Sequence, residues 1–220
     1  MTGTEAPGTG ALTDLFGLLA YAELVAFFNL SGDAALASSL ADKAALGEMA
    51  VAEFGHFRIL HDELTRMGVV PEQAMQPFVA PLDAFHSGTA PADWLESLIK
   101  AYVGDGMAAD FYRAVAQRLE PRARALVLEV LASTGHADFV ISRVRAAIEA
   151  DPPLAGRLAL WARRLVGEAL AQAHRVVVER PSLAILVAGA DGEAVGQGDV
   201  GRMFARITDA NDQRLAALGL

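Results

Sequence analysis

Residues 49–60, MAVAEFGHFRIL, decide how this chain is read. Met49, Glu53, His56 and Leu60 recur at helical spacing and share one face. That face is apolar except for one carboxylate and one imidazole. Turning an ionised carboxylate toward a core is costly unless it is paired, hydrogen-bonded or bound to a metal. The segment therefore predicts a helix that aims polar chemistry inward, with its partners supplied by other helices.

Composition sets the frame. The chain has 220 residues, 53% apolar and 20% charged, which is a globular balance with enough length for one sizeable core. Alanine and leucine abound and β-branched residues are scattered singly, which favours helix over sheet. There is no cysteine, so disulfide scaffolds, zinc knuckles, iron–sulfur clusters and cysteine nucleophiles are excluded, in keeping with a reducing cytoplasm. MTGTEAPGTG, residues 1–10, carries no signal-peptide pattern and reads as a disordered N-terminus. Ala11 to Leu30 is the most membrane-like stretch, but Asp14 and Glu23 interrupt it, and no membrane association is expected. A net charge of −9 opposes broad nucleic-acid binding. Two arginine groups (Arg113, Arg118, Arg122 and Arg124; Arg157, Arg163, Arg164 and Arg175) read as solvated faces rather than phosphate sites.

Six helices are predicted. The first starts near Ala11, and the second ends at Met67-Gly68, where glycine supplies a stop. Residues 69–90 read as a long crossover with one short helix, PEQAMQP. The third helix runs from Pro91-Ala92 to Leu119. Pro121 opens a fourth that continues to about Ala150, and Asp151-Pro152-Pro153 opens a fifth to about Glu179. Pro181 to Gly198 is glycine-rich, with LAILVAG as a candidate buried tail, and a last helix covers about Asp199 to Leu218. Two helices, a long crossover and two more helices is a ferritin-like connectivity, which cytokine-like bundles approach. The expected fold is an all-α, ferritin-like four-helix bundle over 11–150, with C-terminal helices over 152–220, in one domain spanning 11–220.

Candidate metal ligands sit on the apolar stripes. The first helix offers Glu23, among Leu12, Phe16, Leu19, Phe27 and Leu30. The second offers Glu53 and His56, the Glu-x-x-His pair by which bundles present a carboxylate and an imidazole to di-iron centres. The third offers Asp105, with Asp110 pointing roughly 140° away. The fourth offers His136, whose expected glutamate partner three residues earlier is Ser133. Glu168 on the fifth helix, or Glu129 one turn before Ser133, is a candidate replacement. Antiparallel neighbours bring ligands level only if the turn lies midway. For Asp105 and the 133/136 pair the midpoint is Glu120-Pro121. For Glu23 and the 53/56 pair it is Ser39, which with Asp42 reads as a capping box. That register requires the first helix to run through Ser31-Gly32-Asp33. His61, His86 and His174 read as surface or structural, and Tyr21, Tyr102 and Trp161 as core.

These segments resemble a known family. AEFGHFRIL, preceded by Glu23, resembles the second-helix motif of the bacterial tRNA-(methylthio-isopentenyl-adenosine) hydroxylases. AYVGDGMAADFYR resembles their third-helix carboxylate segment and LASTGHADF their fourth-helix Glu-x-x-His. The likeness spans roughly residues 11 to 180 and extends to actinobacterial hydroxylase-like proteins. It implies a non-haem di-iron centre held by Glu23, Glu53, His56, Asp105 and His136, which activates dioxygen and hydroxylates carbon in a tRNA or a small molecule. It also implies an electron donor, with a homodimer as a further expectation. Serine at 133 and aspartate at 105 depart from the pattern, which weakens the cation site. Competing readings are a ferritin-like protein with a degenerate site, serving as a structural or partner-binding module, and an iron-storing cage.

Overall fold

A computed structural model describes residues 9–132, 136–188 and 197–220, and the described residues are helical apart from short turns. The predicted disordered N-terminus lies outside them except for its last two residues, which already belong to the first helix. In chain order the helices are α1 (Thr9–Asp33), α2 (Leu40–Arg66), α3 (Pro71–Gly88), α4 (Trp94–Ala116), α5 (Pro121–Val130), α6 (His136–Ala150), α7 (Leu154–Glu179), α8 (Pro181–Ala188) and α9 (Gln197–Leu218). The all-α expectation holds for the described residues.

Helix α1 does run through Ser31-Gly32-Asp33, and a single 3-10 turn, Ala34–Leu36, links it to α2. Ser39 caps α2 as its sequence implies: its Oγ accepts the Asp42 amide at 3.1 Å and donates to the Asp42 carboxylate at 2.8 Å. The two helices form the most extensive packing in the molecule. Helix α1 is apolar all round and is long enough to cross a membrane by length and composition. Here Phe16, Leu19 and Ala20 are buried in the core it shares with its neighbours.

Two ion pairs fix how α2 lies against the α5–α6 arm. Asp42 meets Arg143 at 2.9 Å, and Glu63 meets Arg122 at 3.2 Å. The pairs are 21 residues apart on each side (42 to 63, 122 to 143), so the segments run antiparallel and residue 132 lies level with Glu53. Arg66 and Arg122 hold the Glu63 carboxyl down at about 2. Ser97 of α4 donates to Asp33 at the end of α1, so α1 and α4 are antiparallel too.

The crossover departs from expectation. Instead of a loop with one short helix, residues 71–88 form a continuous helix through Pro77 and Pro81. Each proline removes a backbone donor and would normally break a helix. Tertiary contacts outweigh that. Ala74, Met75 and Phe78 are buried, Tyr21 donates to Asp83 at 2.6 Å, and Asn29 bonds His86 at 3.1 Å. These pairings run α3 parallel to α1, so it returns the chain to the end where α4 must begin. Gly17 allows the approach: a Cβ there would stand 2.3 Å from the Ala74 carbonyl oxygen.

The predicted fourth helix is two. Helix α5 stops at Val130 and α6 starts at His136, with residues 133–135, including Ser133, outside those described. Arg113 donates to the Leu131 carbonyl freed at the break. The third helix likewise starts later than predicted, at Trp94, because Asp93 caps it by accepting the Glu96 amide. Helix α7 packs along α3 and α4, with Gln172 bonding the Pro81 carbonyl and Trp161 the Glu96 carbonyl. The LAILVAG stretch begins as α8, and α9 closes over α4.

Gly17→Ala is expected to lower the melting temperature although alanine is the better helix former by up to about 1 kcal/mol, since the α1–α3 backbones must part. Gly47→Ala in α2, where a Cβ meets nothing within 4 Å, should raise it by about 0.5–1 kcal/mol of stability. Thermal unfolding of the two variants checks the pair.

Candidate metal centre

Three side chains from α1 and α2 converge inside the bundle. Nδ1 of His56 lies 3.3 Å from Oε2 of Glu23 and 3.7 Å from Oε2 of Glu53. One ligand atom from each of the three lies within 4.8 Å of the other two. The side chains are 12–17% exposed. Helical spacing sets Glu53 and His56 on one face of α2, and the short α1–α2 turn brings Glu23 level with them.

The charges are strongly coupled. Burial, and a hydrogen bond with the Glu23 carboxyl, push the Glu53 carboxyl up to about 7, against the pull of His56. Glu23 first, and Glu53 second, raise His56 to about 10 against the opposing effect of burial. Two carboxylates and an imidazole crowd one small volume, and the cluster relieves its repulsion by holding protons.

Asp105 of α4 and His136 of α6 wall the same cavity, of about 360 Å³, with Tyr102, Tyr112 and Arg214. Asp105 keeps accessible area where it lines this cavity and a second one, with protein packed densely around it. Burial, then the Glu53 charge, push its carboxyl well above the usual carboxylate range. Burial lowers His136, which favours the neutral imidazole that metals bind.

Five of the six sequence candidates, Glu23, Glu53, His56, Asp105 and His136, therefore border one cavity. Glu168 does not join them. It is exposed on α7, about 60° round the helix from the buried face of Leu158, Leu165 and Val176. Glu129 is also exposed: α5 buries the face of Ala123, Val127 and Val130, and Glu129 lies at least about 100° round the helix from it. Asp110 is held by Arg214 and Arg113. His86 is half-buried and pushed down to about 4 by its burial, His174 is exposed, and Trp161 is core.

Two cavity residues escaped the sequence reading. Tyr112 stands between this cavity and a second one; burial, then Glu23, raise its hydroxyl far above the ordinary tyrosine value. Arg214 arrives from α9 across Gly106, where a Cβ would meet its side chain at 2.3 Å. Gly106 was the only local signal, and a glycine does not say which arginine needs it.

A family model described as a ferritin-like domain of actinomycetes matches residues 9–190. No curated protein matches the chain.

The raised Glu53 carboxyl gives a pH dependence. Its folded value, about 7, exceeds the ordinary 4.5. Its contribution to stability is thus fully present below the unfolded value and lost as pH rises through the folded one. Chelator-treated protein should lose stability between pH 4.5 and about 7, and Glu53→Gln should flatten that slope; urea titrations across the window check it.

Proposed function

The chain belongs to the ferritin-like domain family of actinomycetes, and from that premise we propose a non-haem di-iron carboxylate oxygenase, a hydroxylase acting on a small molecule. The observation that carries the reading is the buried Glu23–Glu53–His56 cluster facing Asp105 and His136 across one cavity.

The donor chemistry fits. Carboxylate oxygens with imidazole nitrogens suit iron, manganese or zinc better than soft, thiolate-seeking ions. Glu23, Glu53 and His56 would hold one cation. Asp105 and His136 are the residues available to a second, in a donor set that lacks the glutamate expected at Ser133. When bound, iron would supply dioxygen activation: one oxygen atom enters a C–H bond, and the other leaves as water with two electrons and two protons from an external donor.

The chain's own residues supply the surroundings. Glu53 and His56 give up protons as a cation arrives, so that its charge replaces theirs. Ala22, Ala26 and Ala108 give the metal-facing cavity part of its apolar wall. The Tyr112 hydroxyl keeps its proton and marks the boundary with the second cavity.

Six of the eight arginines in the two groups are engaged within the fold, which favours a small substrate over tRNA. Arg118 and Arg124 donate to backbone carbonyls, Arg122 pairs with Glu63, and Arg113 serves Asp110 and the Leu131 carbonyl. Arg157 is held by Asp93 and Glu96, and Arg164 by the Gly88 carbonyl. Donors engaged in this way are poorly placed to collect phosphates.

One observation favours a second reading, a ferritin-like scaffold without catalysis: His56 already pairs with Glu23, so the buried charges have a partner within the fold.

Elemental analysis after anaerobic ferrous reconstitution separates the two. The oxygenase reading expects roughly two irons per chain, lost in both Glu53→Ala and His56→Ala. A single iron would mean a mononuclear centre, and none would leave the scaffold.

A further inference from the structure

Beyond Asp105 lies a second cavity, of about 240 Å³. It shares Ala22, Ala26, Asp105, Ala108 and Tyr112 with the metal-facing one, so the two are separated by a single layer of side chains. Most of its wall is hydrocarbon, including Leu18, Leu82, Phe111 and Ile207. The polar exceptions are Asn29, Asp33, His86 and Lys100, gathered where α1, α3 and α4 meet, the shared Asp105 and Tyr112, and Gln172 of α7, whose amide donates to the Pro81 carbonyl.

Lys100 is the unusual member. It is 7% exposed, and its ammonium finds one acceptor among the described residues, the His86 carbonyl at 3.5 Å. An ammonium has three donors, so this one has N–H groups to spare in the wall of an apolar chamber. Its neighbours are occupied: Asp33 accepts from Ser97 at 3.0 Å, and Asn29 is bonded to His86 and to the Val25 carbonyl. The polar end is also balanced in charge, with Asp33 opposing Lys100 and burial keeping His86 neutral. A carboxylate guest would upset that balance. A hydroxyl or carbonyl oxygen would not.

Size narrows the guest. An apolar cavity of about 150 Å³ holds benzene, which scales to about ten non-hydrogen atoms here. Lys100 and Asp105 are five residues apart on α4, or about 7.5 Å along the axis. Lys100, Asp105 and Tyr112 all line this cavity, so a guest gripped at Lys100 has room for its hydrocarbon body between them.

We propose that this cavity is a binding site for a neutral, largely hydrocarbon molecule of about ten non-hydrogen atoms, whose single hydroxyl or carbonyl oxygen accepts from Lys100. Its role as the substrate of the hydroxylase rests on the reading above; the binding site itself does not.

The test uses 1-nonanol as the probe, with full-length protein and calorimetric titration, and measures ferrous binding separately on each sample. Saturable binding of 1-nonanol is expected, with nonanoate at least ten-fold weaker. Lys100→Met should weaken 1-nonanol at least ten-fold. Ala173→Phe and, as a gentler filling, Ala169→Leu should abolish its binding while ferrous binding persists, which also certifies the fold. No saturable binding, binding unchanged in both filled variants, or nonanoate binding as tightly as the alcohol overturns the proposal. If 1-nonanol binds as expected and no iron does, the site stands and the hydroxylase reading falls. If iron binds and 1-nonanol does not, the site falls alone.

Discussion

Holding two carboxylates and an imidazole together inside an apolar bundle is the constraint on which the rest of this structure depends. Moving Glu23 and Glu53 out of water is unfavourable, and placing them beside each other more so. His56 offsets part of that cost by keeping its proton, and Glu53 offsets part by taking one. The cluster is therefore poised: a divalent cation would supply the positive charge the protons now provide. Asp105 and His136 line the same cavity as the cluster.

The helices around the cluster are organised to hold it level. Asp42–Arg143 and Glu63–Arg122 tie α2 to the α5–α6 arm at both ends, with the cluster between them. Surface ion pairs contribute little to stability singly, and their value here is register. Helix α3 does the corresponding work for α4. By returning the chain along the full length of α1, it starts α4 at the end from which Asp105 reaches the cluster's level.

The helices outside the four-helix core have a different part. Helices α3, α7 and α9 complete the walls of the second cavity with Leu82, Phe85 and His86, with Ala169, Leu170 and Ala173, and with Phe204 and Ile207. A bare bundle could present the metal ligands, but it would lack these walls. The layer shared by the two cavities is also the place where chemistry at one could reach a molecule held in the other.

The helical class, the ferritin-like order and the Glu23–Glu53–His56 cluster were all legible in the sequence, because each rests on local periodicity and on turn positions that local chemistry fixes. Ser39 and Pro121 mark where α2 and α5 begin, and antiparallel register then follows from counting. What periodicity could not supply was decided by tertiary contacts. Pro77 and Pro81 argue against a helix until burial of Met75 and Phe78 against α1 outweighs the lost hydrogen bonds. Glu129 and Glu168 lie near apolar stripes, yet the faces that α5 and α7 turn to the core leave both exposed. Lys100, Asn29 and His86 carry no shared motif, since they come from three helices and meet only when these pack. Sequence by itself determined where the helices form and which residues α1 and α2 turn inward; only the tertiary structure decided how the later helices face and which inward faces meet, because that depends on how three or more helices fill space together.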